Sequence, residues 1–69
     1  GIRVNAIAPG PIETEMIHQY SEEMQKKLAS ESSLRRLGKP DEIAQTALFL
    51  ASDQASYING EIIKVDGGR

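Results

Sequence analysis

The chain has 69 residues, a formal charge of −2, 4 % aromatic residues and neither Trp nor Cys. The missing cysteines exclude disulfides and thiolate metal sites, and one histidine, His18, cannot build a zinc centre alone. The acidic balance leaves no basic footprint for nucleic acid, and no apolar run approaches the ~20 residues of a membrane-spanning helix.

Residues 2–8 read as a strand: Ile2, Val4 and Ala6 alternate with Arg3 and Asn5, and Ile7-Ala8 then blur the polar face. Blurring of this kind suits a strand covered on both sides near its carboxyl end, as in a parallel sheet. Pro9 ends the ladder because its nitrogen carries no proton. Gly10 can take positive φ and Pro11 fixes its own φ, so the turn is stiff.

Residues 14–20 are expected to form a short helix. Ser21 has the chemistry of an N-cap, with Glu22 and Glu23 in a first turn where the helix dipole favours acids. Met24 and Leu28 share a face, which predicts a thinly amphipathic surface helix. Residues 30–38 read as a loop, with Arg35, Arg36 and Lys39 as solvated charges.

The strongest helix signal covers residues 39–52, with Pro40 at the first helical position and Asp41 and Glu42 in the first turn. Ile43, Ala44, Ala47, Leu48 and Ala51 form a stripe that Phe49 and Leu50 widen, so this helix is predicted to be well buried. Residues 61–65 read as a strand with Ile62, Ile63 and Val65 buried, stopped by Gly67-Gly68. Asn59-Gly60 is a hairpin signal that would pair residues 55–58 with 61–64. Ala55 and Ser56 are weak strand formers just past a helix, which favours a short loop and one strand instead. The order strand, helix, helix, strand predicts a βαβ crossover between parallel strands, of right hand.

A core of this size rarely supplies more than ~3–5 kcal/mol. Either the piece folds marginally or it gains stability from a partner or from further chain, and the opening Gly1-Ile2-Arg3-Val4, without an initiator Met, suggests a piece of a longer polypeptide.

"GIRVNAIAPGPIETEM" followed by "RLGKPDEIAQTALFLASDQASYINGEIIKVDGG" resembles the short-chain dehydrogenase/reductase family over all 69 residues. Joint order and spacing carry the resemblance, and its nearest look is to ketoacyl-acyl-carrier-protein reductases. It implies an α/β fold: the C-terminal strand-helix-helix-strand portion of a Rossmann-like doubly wound parallel sheet. Residues 1–12 would be a strand and Pro-Gly turn, 13–38 a substrate lid, and 39–69 the final helix and strand.

The implied activity is NAD- or NADP-dependent interconversion of a carbonyl and an alcohol, ketoacyl thioesters included. By the same resemblance Pro9 and Gly10 would floor the nicotinamide site, and Gly10 would let the flat ring approach the backbone. The backbone of Ile12 would bond the carboxamide, and the Thr14 hydroxyl the carboxamide or a phosphate. Met16, Ile17 and Tyr20 would either offer apolar contacts to substrate or pack the lid onto the body. The final helix and strand would make a homo-oligomer contact. The expected location is cytoplasmic, with no nucleic-acid, membrane or metal partner.

The family's Tyr with a Lys four residues later has no counterpart: Tyr20 is followed by Met24 and Tyr57 by Glu61. No residue is therefore given a catalytic role, and the piece alone is expected to be inactive. The glycine-rich turn that seats a pyrophosphate is also absent from these residues. A non-catalytic self-associating fragment is the alternative reading.

Overall fold

The computed structural model describes residues 1–69. Strand β1 (Ala6–Pro9) pairs in parallel with β2 (Ile62–Val65), in the register Ala6 to Ile62 through Pro9 to Val65. Between them lie α1 (Glu15–His18), α2 (Glu22–Ser30), α3 (Pro40–Ala51) and a 3-10 turn, Asp53–Ala55. The parallel pairing of the two strands was expected from the element order. The Asn59-Gly60 bend leads into a single strand, and residues 55–58 form no hairpin arm.

Proline at the end of β1 follows from the ladder. The N–H groups of Ala6 and Gly10 donate to the carbonyls of Glu61 (2.8 Å) and Val65 (3.0 Å). Alternation then turns the Pro9 nitrogen to the other edge, where a missing proton costs no ladder bond, so, contrary to expectation, Pro9 does not itself end the ladder.

β1 begins later than the alternation predicted. Residues 3–5 are held to residues 58–61 by one backbone bond, Gly60 N–H to the Val4 carbonyl (2.8 Å), and otherwise by side chains. The Val4 N–H donates to Asn59 Oδ1 (2.9 Å), Asn5 Nδ2 to the Ile58 carbonyl (3.1 Å) and the Glu61 N–H to Asn5 Oδ1 (3.0 Å). Arg3 reaches the other way. Its guanidinium donates to the carbonyls of Leu50 (2.9 Å), Ser52 (3.2 Å) and Ile58 (3.3 Å). It satisfies the Leu50 carbonyl, left without a backbone donor at the carboxyl end of α3, adds a bond to the Ser52 carbonyl that already accepts the Ala55 N–H (3.1 Å), and complements the helix dipole there.

The Ser21 cap and the Pro40 start were foreseen; the Thr14 cap was not, since Thr14 was expected inside a helix over residues 14–20 that in fact spans Glu15–His18. Ser21 Oγ accepts the Met24 N–H at the start of α2 (3.2 Å), and Thr14 Oγ1 accepts the Ile17 N–H at the start of α1 (3.4 Å). Pro40 opens α3 behind Lys39, whose backbone N–H donates to Glu42 Oε1 (2.9 Å).

Burial departs from expectation. α3 has no fully buried residue: Ile43, Thr46 and Leu50 are half-buried, while Ala44, Ala47, Leu48 and Ala51 face solvent. Ile62 is 69 % exposed, and its neighbours Ile63 and Val65 are half-buried. The cause is a missing layer. Ile7 and Ile63 are register partners on the half-covered face of the sheet, and Ala6, Ile62 and Lys64 on the other face are exposed. α1 and α2 form no extensive contact with the sheet or α3.

Only Ala55 and Ser32 are buried. Ser32 lies under the turn joining α2 to α3, where it accepts the Arg36 N–H (3.4 Å). The next residues seat the tail of the chain: Leu34 N–H donates to the Gly67 carbonyl (3.1 Å) and Ser33 Oγ to that of Gly68 (2.7 Å). Gly67 and Gly68 take φ of 65° and 83°, left-handed values that glycine adopts without steric penalty.

Candidate functional site

The carboxyl end of β1 runs into Pro9, Gly10 and Pro11, then into a second short pairing. Gly38 N–H donates to the Pro11 carbonyl (3.0 Å) and Glu13 N–H to the Gly38 carbonyl (2.8 Å), which makes a parallel bridge between Ile12 and Gly38. In an extended segment, bonds from residues 11 and 13 turn the main-chain groups of residue 12 to the opposite edge. The Ile12 N–H and C=O accordingly have no partner within the chain. One donor and one acceptor thus stand side by side at the tip of the strand.

Thr14 lies two residues on. Its hydroxyl oxygen is engaged as the cap of α1, but its proton remains free to donate. Met16 is 65 % and Tyr20 43 % exposed, and Ile17 is half-buried. Met16 and Tyr20 are thus open to solvent and do not fasten α1 to the sheet. His18 stays at the surface, 3.4 Å from Glu13.

Gly10 carries a packing constraint that the sequence did not show. A Cβ built there would meet Asp66 Cβ at 2.8 Å and Asp66 Cα at 2.9 Å. The space beside Gly10 is already filled by the chain leaving β2. Nor is Gly10 among the residues with positive φ. The missing side chain therefore serves a close crossing of two chain segments.

A partly enclosed cavity of about 300 Å³ opens between the turn after α2, the start of α3 and the carboxyl end of β2. Ile12 lines it, but Pro9, Gly10 and Thr14 do not. On its rim Arg36 holds Glu42 through two bonds of 2.8 Å. Those bonds, helped by the Lys39 N–H, push the Glu42 carboxyl down to about 2, and the carboxylate raises the Arg36 guanidinium in turn. Composition placed Arg36 in a solvated loop; its partner lies six residues away, across the start of a helix, where no helical spacing rule reaches.

The family model described as enoyl-(acyl carrier protein) reductase matches residues 1–69. The chain belongs to the short-chain dehydrogenase/reductase family. It is 52 % identical to the 3-oxoacyl-acyl-carrier-protein reductase FabG of Thermotoga maritima, over 97 % of this chain and 27 % of that protein. It is also 52 % identical to the 3alpha-hydroxysteroid dehydrogenase of Mediterraneibacter gnavus, over 96 % of this chain and 26 % of that enzyme. A probable 2,4-dienoyl-CoA reductase of Bacillus subtilis matches equally well, 52 % over the whole chain and 28 % of its own length. The chain thus spans about a quarter of the length of these relatives. Three differently named activities at one level of identity mean that likeness in this region does not select a substrate. No helix is long and apolar enough to cross a membrane.

Proposed function

We propose that these residues form the C-terminal third of an NAD(P)-dependent short-chain oxidoreductase that interconverts a carbonyl and an alcohol. Reduction of a ketoacyl thioester is the favoured case, since several similar proteins carry that name. In this reading β1 and β2 belong to a wider doubly wound parallel sheet. Ligands of such sheets lie beyond the carboxyl ends of the strands, where Pro9 to Thr14 stand.

The observation that carries the reading is the free N–H and C=O of Ile12. A carboxamide offers one acceptor and two donors, so a nicotinamide amide matches that pair in number and sense. Pro9 and Gly10 would supply the floor through their main chain, with Thr14 donating to the carboxamide or a phosphate. When bound, the nicotinamide supplies hydride exchange at carbon. The residues described here hold and orient it; prolines on both sides of Gly10 limit the motion that would blur that alignment. Residues 13–38 would serve as a substrate lid with Met16, Ile17 and Tyr20 toward the substrate, and residues 39–69 would add an oligomer contact.

The test is dinucleotide titration of the intact polypeptide, comparing Ile12→Pro with Ile12→Val. Proline removes an N–H that the fold itself leaves unbonded, while valine keeps it. Loss of one such bond should weaken NADH or NADPH binding by about tenfold in Ile12→Pro only. Equal affinity in the two variants would defeat the assignment. A non-catalytic self-associating fragment is favoured by a different observation, the exposure of Leu48 and Ile62. Sedimentation that shows tight association indifferent to dinucleotide would support it.

A further inference from the structure

Asn59-Gly60 remains unexplained by the fold it was expected to make. It closes no hairpin, yet both of its reactive groups are held by one residue. Val4 N–H donates to Asn59 Oδ1 (2.9 Å), and Gly60 N–H donates to the Val4 carbonyl (2.8 Å). Both residues are exposed, and a Cβ at Gly60 would meet nothing within 4 Å, so water reaches the peptide freely.

We propose that Asn59 is a self-modification site, a deamidation site gated by Val4. The chemistry needs only water. The Gly60 nitrogen loses its proton and attacks Asn59 Cγ; a C–N bond forms, the Cγ–Nδ2 bond breaks, and ammonia leaves. Water then opens the cyclic imide at either carbonyl, leaving aspartate or isoaspartate at position 59. Glycine as the following residue places no side chain in the path of ring closure.

The folded chain opposes the first step twice. The proton that must leave Gly60 is engaged by the Val4 carbonyl, and the amide that must rotate onto the nitrogen is engaged by the Val4 N–H. Reaction therefore waits for local opening of the Val4 clasp, not for global unfolding. The two products differ in consequence. Aspartate keeps an oxygen for Val4. Isoaspartate inserts a methylene into the main chain just ahead of the Ala6 N–H to Glu61 carbonyl bond and shifts the entry to β2.

Ageing of the intact polypeptide in mildly alkaline buffer, with isoaspartate counted by peptide mapping, tests the gate. The unstructured reference is a synthetic peptide of residues 55–65, and Gly60 amide exchange is measured in the same protein sample. Isoaspartate should form in the protein at least about tenfold more slowly than in the peptide. That suppression should match the Gly60 exchange protection to within about threefold, because one opening controls both. Equal rates in protein and peptide would overturn the proposal, as would no product in the peptide. Suppression far beyond the exchange protection would overturn Val4 as the gate.

Discussion

At Gly10 the Cβ of any other residue would have to share space with Asp66, at 2.8 Å from its Cβ and 2.9 Å from its Cα. Backbone cannot swing aside as a flexible side chain can, so one methyl group forces the two segments apart. Gly10→Ala in the intact polypeptide should lose about 1–3 kcal/mol, the usual cost of overpacking, and Gly10→Val more. Urea denaturation measures it directly. An unchanged midpoint with weakened dinucleotide binding would return Gly10 to a purely ligand-facing role. Val4, Asn5 and Asn59 illustrate the same scale: side-chain amides stand in for ladder bonds and decide where β1 starts.

Helix α3 is fixed at both ends by residues outside it, Arg36 at the amino end and Arg3 at the carboxyl end. The amino-terminal anchor makes a pH prediction. Glu42 lies at about 2 when folded, against an ordinary 4.5, so the pair's stabilisation is complete above pH 4.5 and fades as pH falls through about 2. Because the pair is exposed, salt should weaken it. Carboxyl NMR titration should find the Glu42 midpoint near 2 in the native protein and raised in Arg36→Met, though still below 4.5 because the Lys39 N–H bond remains. A midpoint that ignores the substitution would remove Arg36 as the cause. Pro40, Asp41 and Glu42 announced the start of α3 because capping is local chemistry, and the order of elements announced the parallel strands. The Ile12–Gly38 bridge and the Asn5 and Asn59 clasps were not legible. Their partners lie far along the chain, and no short-range pattern encodes them. Periodicity also misjudged Leu48 and Ile62: it shows which face wants cover, not whether a second layer is there.

The whole molecule exposes 5449 Å². A compact chain of 7.5 kDa would expose about 4,200 Å², so the excess is about 1,200 Å². Shape agrees: the radius of gyration is 14.2 Å, against about 11 Å for a compact chain of this length. The excess exceeds the ~800 Å² that one partner commonly buries in a stable interface. With Ala55 the sole buried apolar residue, little hydrophobic free energy offsets chain entropy. The 69 residues alone are therefore expected to melt without a cooperative transition and to show little amide protection. In the longer polypeptide proposed above, the amides of β1, β2 and α3 should be strongly protected, because the uncovered faces around Leu48 and Ile62 would then be packed. Far-UV circular dichroism on heating and hydrogen exchange on both samples compare the two directly. A sharp transition in the isolated chain whose midpoint rises with concentration would identify self-association as what covers those faces. A sharp transition independent of concentration would mean that the half-covered sheet and its helix are stable by themselves, and the argument from surface excess would fail.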